Sequence, residues 1–307
     1  MSSILTNSAA LSALQSLTQT QAALQTTENQ VSTGLSVSSA ANNASYWSIA
    51  AQLSSDNGVV TAANQALSQS QSVLSTASSA INAITSAINS IETTLTQAEN
   101  PSSSASMSDI NTTLASLGQQ LTDAVNNASF NGLNLLNGSQ TGTLNFVSGF
   151  TASSSGGSVN TISLTTQSVY TAASGGGAGT GALVQSVTPS GGSATTYDLT
   201  QLGTSGGTTV SSTNAASIMT AAEQAMSAVT SYAATIGTTQ DAMTAASTFN
   251  SALETNYSDG VSSLVDANMN TASTRLQALQ TQEQLGIQSL SIANQNSQLI
   301  LKLFSGA

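Results

Sequence analysis

The sequence predicts a mainly α protein with a small β insert, its N- and C-terminal regions forming an elongated antiparallel helical bundle or coiled coil. Three observations carry this. Residues 261–304 hold no proline and a single glycine, Gly286, and two columns run along them at seven-residue spacing. One column is Leu276, Glu283, Leu290, Ser297 and Phe304; the other is Leu279, Gly286, Ala293 and Ile300. Alternating steps of three and four place both columns on one helix stripe, as in a coiled-coil seam. Glycine is segregated as well: of 23, three precede residue 131 and four follow residue 211, which leaves 16 between two helix-like regions. Finally, 39% of residues are hydrophobic but only 4% are aromatic. Small side chains suit closely packed helices better than one broad core.

From the start of the chain, residues 4–33 read as helix. Leu14, Leu17, Leu24, Val31 and Leu35 keep a three/four rhythm that Gln21 and Glu28 interrupt. Gly34 breaks the run, and the stretch STGLSVSSAANNASYW is rich in turn residues. Asn42 and Asn43 are placed to cap the next helix through their side-chain oxygens. Tyr46 and Trp47, the latter the sole tryptophan, read as a local packing anchor under the bend.

Residues 44–99 return to steps of three, four and seven through Ile49, Leu53, Val60, Ala63, Leu67, Leu74, Ala77, Ile81, Ile84, Ile88, Ile91 and Leu95. Gly58 is a soft spot within that helix. Pro101 ends it, because proline lacks a donor and disfavours helix in the residue before it. A shorter helix, 107–127, uses Ile110, Leu114, Leu117, Leu121 and Val125, with Asp109 near its start where the helix dipole favours an acid.

The glycine-rich middle then alternates in short runs: GTLNFVSGF, SVNTISLTTQSVY, GALVQSV, TYDLTQL and TTV. These read as strands joined by turns, a polar decoration outside the helical bundle. Helix resumes near Ala215 through Ile218, Ala222, Ala225, Val229, Ala233, Ile236, Met243, Phe249 and Leu253. Unbroken from 214 to 304 it would span about 135 Å at 1.5 Å per residue, with Gly260 as the expected joint.

Composition excludes several functions. Arg275 and Lys302 are the only cations against 13 acids, a formal charge of −11. Phosphate recognition needs lysine and arginine to displace counterions, so nucleic acid is not a partner. An acidic membrane surface is disfavoured for the same reason, and no segment reaches the length for membrane insertion. The N-terminal residues lack a basic region followed by an unbroken apolar run, so they do not read as a secretory signal peptide. Histidine and cysteine are absent. Histidine-based nucleophile activation and His/Cys zinc sites are therefore impossible. The acids are scattered, without a calcium-loop spacing, and the glycines follow no phosphate-cradling pattern. No catalytic residue, metal site or cofactor is expected. Arg275 and Lys302 are solubilising charges, or else meet acids across contacts between chains.

Both ends nevertheless carry a recognisable set of segments. The start holds ILTNSAALSALQSLTQTQAALQ, STGLSVSSAANNASYWSIA and FNGLNLL; the end holds LVDANMNTASTRLQALQ, QLGIQSLSIAN and ILKLF. This ordered set resembles bacterial flagellins over nearly the whole chain except about residues 171–211. The resemblance implies a filament-forming structural protein with an inner coiled-coil layer from 1–43 and 266–307. It implies a second layer, 44–170 with 212–265, as a helical bundle with a β-hairpin entered through the FNGLNLL segment. Residues 171–211 would be a reduced outer β domain. Leu11, Leu14, Leu17, Leu24, Val31, Leu276, Leu279, Ile287, Leu290, Ile300 and Phe304 would form the assembly interface.

Implied partners are other copies in a helical homopolymer, sister flagellins, an export chaperone and export apparatus, and filament cap and junction proteins. The implied location is the extracellular flagellum. Two alternatives stand at this point: a hook–filament junction protein sharing the terminal helices, and a surface adhesin reading glycans through the insert on a helical stalk. If subunits of −11 polymerise, self-repulsion controls their growth. The Debye length reaches about 30 Å at 0.01 M salt, so growth followed by light scattering should be slow there and accelerate with added salt. Faster growth at low salt would show that another force dominates.

Overall fold

The computed structural model describes residues 7–99, 104–152, 157–173, 178–188 and 193–305; of these, the side chains of 104, 105, 297 and 299–305 are outside the description. In order, the elements are α1 (Ser8–Thr33), α2 (Ala44–Glu99), α3 (Ser104–Asn127), β1 (Ser129–Phe130), β2 (Leu133–Asn134), β3 (Gly142–Thr151), β4 (Ser158–Thr166), β5 (Val184–Val187) and β6 (Thr195–Asp198). A 3-10 turn (Leu199–Gln201), α4 (Ala215–Val265) and α5 (Met269–Ser305) follow. The chain divides into two compact units, residues 1–58 with 254–307, and residues 59–253.

The unit of residues 59–253 owns the larger core. From Val60 onward the sequence rhythm of α2 holds: Leu67, Leu74, Ile81, Ile84, Ile88, Ile91 and Leu95 are wholly or almost wholly buried. They share one cluster with Leu114, Leu121 and Val125 of α3 and with Ile218, Ala222, Ala225 and Val229 of α4. Burying each leucine or isoleucine contributes about 1.5–3 kcal/mol, so this unit has ample means to fold. Helix α3 begins at Ser104, earlier than the apolar rhythm indicates, which puts Asp109 beyond its first turn. The expected dipole role of Asp109 is therefore not realised. Pro101, expected to end α2, lies outside the described residues.

The insert is not a decoration outside the bundle. Leu164, Tyr170, Leu183, Tyr197, Leu199, Leu202 and Val210 belong to the same buried cluster as the helices. The reason lies in its strands, which among the described residues form two-stranded antiparallel ladders, β1-β2, β3-β4 and β5-β6. An isolated two-stranded ribbon is marginal in water and needs a helix to pack on. Asparagines do much of the joining. The Asn111 side chain on α3 donates to the Val210 carbonyl at 3.0 Å and accepts from the Val210 amide at 2.8 Å. With that backbone engaged, the expected strand at 208–210 shrinks to one bridge between Leu202 and Thr208.

The FNGL stretch closes β1 on β2 in a two-residue turn, with φ of 51° at Asn131 and 79° at Gly132. Two positive φ values give the twist a tight hairpin requires, which is why Asn-Gly stands there. Next to it, buried Asn134 donates to the Val125 carbonyl at 2.7 Å and accepts from the amides of Leu136 and Asn137. The β3-β4 register shifts between Val147 and Gly149. The carbonyl of the intervening Ser148 is taken by buried Asn250 of α4, at 2.9 Å. Placing Asn250 inward turns the neighbouring Phe249 outward, where it is 66% exposed. Sequence rhythm alone places Phe249 on the packed face.

In the unit of 1–58 with 254–307, Asn7 caps α1 by accepting from the Ala10 amide at 2.9 Å, and α1 ends at Gly34. Asn43 caps the start of α2 through the Tyr46 amide at 3.2 Å. Asn42 instead accepts from Ser38 and Ser39 and ties the preceding turn. Gly58 and Gly260 both lie inside helices, so Gly260 is not the joint. The break falls at 266–268. There the Ala267 amide donates to the Gly34 carbonyl at 2.8 Å, the Ser36 amide donates to the Val265 carbonyl at 2.6 Å, and Asn268 starts α5 by accepting from the Thr271 amide. The chain leaves the helix because the returning 34–37 segment takes its backbone groups.

Tyr232 offers a direct test of the larger core. Its side chain is buried on α4 and donates to the Leu135 carbonyl at 3.1 Å, and burial raises the phenol above its ordinary pKa. Tyr232→Phe strands a buried acceptor, an expected loss of about 1–2 kcal/mol in urea unfolding followed by helicity. An unchanged midpoint would show that the carbonyl finds another partner.

Candidate assembly interface

Helices α1 and α5 lie side by side and antiparallel. The Asn7 side chain donates to the Ala293 carbonyl at 2.9 Å, and Gln21 donates to the Glu283 carboxylate at 3.3 Å. A Cβ added to Gly286 would stand 3.1 Å from a Leu17 methyl carbon, so a glycine at that point lets the helices approach. On α5 the half-buried or buried residues among those described are Leu276, Leu279, Glu283, Gly286, Leu290 and Ala293, members of the two columns read from the sequence, together with Ala272, one heptad before Leu279. Of that expected set, the side chains of Ser297, Ile300 and Phe304 lie outside the described residues.

On α1 the half-buried or buried residues are Ala10, Ala13, Leu17, Thr20, Ala23, Leu24, Thr27, Gln30 and Val31. The column of Leu17, Leu24 and Val31 is the expected one. Its companion is one residue earlier than the apolar rhythm indicates, with Ala13, Thr20 and Thr27 in place of Leu14, Gln21 and Glu28. Small side chains win these positions because they let two helix backbones come close, and they leave larger ones at the margin. Thr27, almost fully buried, satisfies its hydroxyl on the Ala23 carbonyl of its own helix. The signal for this choice was present in the sequence as a second heptad of small residues, hidden because leucine dominates a hydrophobicity reading.

The displaced large residues point outward. Leu11 is 69% and Leu14 46% exposed on α1; Leu285, Ile287 and Ile292 are more than half exposed on α5. Arg275 is exposed as well. The pair thus half-buries a seam of leucines mixed with small and polar side chains and leaves further large apolar ones exposed. Five large apolar side chains stand exposed on the two helices of one pair.

No comparable arrangement suggests chemistry. Among the described residues no three acids gather as a metal-holding group, and no helix is long and apolar enough to cross a membrane. One acid is perturbed: burial, and then the charge of Glu223, raise Glu92 above its ordinary value. It lines an open depression with Asn89, Thr93, Thr96, Gln97 and Met219.

Comparison with known proteins agrees with this geometry at both termini. Residues 4–141 match the bacterial flagellin N-terminal helical region, and residues 219–304 match the bacterial flagellin C-terminal helical region. A flagellin of Brucella melitensis biotype 1 is 38% identical over 306 residues, covering 100% of both chains. Flagellin C of Rhizobium meliloti is 37% identical over 159 residues, 51% of this chain and 49% of that one. Flagellin B of the same species is 49% identical over 67 residues, 22% of this chain and 17% of that one. The end-to-end likeness favours a filament subunit over a junction protein or a glycan-reading adhesin. The chain belongs to the bacterial flagellin family, whose members are structural subunits of the flagellar filament.

Proposed function

We propose that this chain builds the filament through the outward side of its α1-α5 pair, which packs against the same pair in neighbouring copies. The observation that carries this is the set of large apolar side chains left outside the seam, Leu11, Leu14, Leu285, Ile287 and Ile292, while the leucines inside it alternate with alanine, threonine and glycine. A surface of that kind is stabilised when a neighbour covers it. A contact repeated by rotation and rise, with two different patches meeting, gives an open helix rather than a closed ring. Leu11, Leu14 and Ile287 contact neighbouring copies directly in this reading. Leu17, Leu24, Val31, Leu276, Leu279 and Leu290 hold the pair together, and Ile300 and Phe304 extend the same surface.

In the filament, residues 1–43 and 266–307 form the inner layer, and residues 44–170 with 212–265 form the second. Residues 171–211 are the outermost part, held against the second layer. The role is structural, without catalysis. Export runs through the flagellum's own apparatus with a dedicated chaperone, and cap and junction proteins meet the growing polymer outside the cell. Sister flagellins share it where they are present. The resemblance of both ends to flagellins supports these assignments.

Leu11→Asp together with Ile287→Asp puts charges on the outward side and leaves the inner seam intact. A buried unpaired charge costs several kcal/mol, so the double variant should lose filaments in electron micrographs while its monomer keeps wild-type helicity. Filaments of normal length and yield would mean that these residues face solvent in the polymer.

A further inference from the structure

Asparagine followed by glycine is chemically labile, because glycine has no side chain to shield its amide from the asparagine side chain. The sequence holds three such pairs, Asn57-Gly58, Asn131-Gly132 and Asn137-Gly138. The fold treats them differently. Asn57 and Gly58 lie inside α2, where helix hydrogen bonds hold the backbone. Asn137 is pinned at both of its carbonyls: the side-chain oxygen accepts from the Ser139 amide at 2.9 Å and the main-chain oxygen from the Thr171 hydroxyl at 3.1 Å. Gly138 is packed so closely under Ser168 and Thr171 that a Cβ does not fit there.

Asn131 and Gly132 carry none of these restraints. Both are exposed, and the space beside Gly132 is open. Among the described residues no hydrogen bond engages the Asn131 side chain or the Gly132 amide. Their positive φ values, 51° and 79°, fold them into a closed turn. That turn is not itself the reactive geometry, since the Gly132 nitrogen has to swing toward the Asn131 side chain. Opening costs little, because β1 and β2 are two residues each and so short a ribbon is marginal. Just beyond it, the bond from Asn134 to the Val125 carbonyl ties the chain to α3, so the hairpin opens without disturbing the core.

We propose that Asn131 is a site of spontaneous deamidation whose rate is set by opening of the hairpin. The Gly132 nitrogen loses its proton to hydroxide and attacks Asn131 Cγ. The Cγ–Nδ2 bond breaks, nitrogen leaves as ammonia after taking a proton from water, and a five-membered succinimide remains. Water then adds to one of the two ring carbonyls, and the bond from that carbon to nitrogen breaks. Opening at Cγ gives aspartate; opening at the main-chain carbonyl gives isoaspartate, with the chain running through Cγ. The balance is one water in and one ammonia out, with no oxidant or reductant. Aspartate still suits a two-residue turn, whereas isoaspartate lengthens that turn by one carbon. Either product adds a carboxylate where no charged residue stands between Asp123 and Asp198. It falls on the rim of an uncharged groove that Asn131 and Phe130 form with Val73 and Phe146.

The experiment holds the purified full chain at mildly alkaline pH, folded or in urea, and maps its peptides by mass, with isoaspartate labelled by an isoaspartyl methyltransferase. In urea the three pairs should react at similar rates. In the folded chain Asn131 should react more slowly than in urea, yet about tenfold or more faster than Asn57 and Asn137, which need larger openings. The modified fraction, separated by its added charge, should keep wild-type helicity. Equal rates at the three pairs in the folded chain, or an Asn131 that stays intact while the urea sample reacts, overturn the site. An Asn131 as fast folded as in urea overturns the control by hairpin opening. Lost helicity in the modified fraction overturns the confinement of the change to the hairpin.

Discussion

The seam between α1 and α5 is the constraint on which the rest of this structure depends. It is made close by Ala10, Ala13, Gly286 and Ala293, and it is interrupted by Thr20, Thr27 and Glu283. The larger members of the seam, Leu17, Leu24, Val31, Leu276 and Leu290, are only half-buried in the pair, and each methylene buried contributes only about 0.8 kcal/mol. Nor can charge supply the difference, because the whole sequence holds two cations. What remains is the outward leucine and isoleucine surface, which other copies cover in the proposed filament. A polymerising subunit gains from this arrangement, because the free energy that a monomer would use to complete its own fold is kept for the contact between copies.

The unit of residues 59–253 follows the opposite logic. Its large side chains point inward, and its irregular segments are tied by specific polar bonds: Asn111 to Val210, Asn134 to the end of α3, Asn250 to the bulge in β3, Tyr232 to Leu135. Each aims a side-chain donor at a main-chain carbonyl near an element's end or register shift, so the hairpins are fixed without large sheets. A unit satisfied in this way can remain rigid whether or not the terminal helices have found their neighbours.

Much of this was legible in the residues themselves. The α5 columns, the extent of α2 and the strands of the two longer hairpins follow from periodicity, because side chains of one type recur at the period of one element. The failures share a cause: positions chosen for space or for a hydrogen bond rather than for hydrophobicity. Leu14 and Phe249 outrank Ala13 and Asn250 on any hydrophobic scale, yet the smaller or polar neighbour is inside. Gly260 outranks Asp266 as a helix breaker, yet α4 ends where the 34–37 segment captures its carbonyl, a partner more than two hundred residues away. The tie between the insert and α3 was equally invisible, since it runs through Asn111, which carries no apolar signal.

The central claim is that the terminal helices are completed by other copies, whereas the remaining unit completes itself. Hydrogen exchange of backbone amides, compared in monomer and filament, measures this directly. The account predicts that amides of 11–31 and 272–293 exchange readily in the monomer and become strongly protected in the filament. Amides near Ile81–Ile91 and Leu114–Val125 should be protected in both. Terminal helices already as protected in the monomer as the core of α2 would contradict it, because the pair would then be stable without its neighbours.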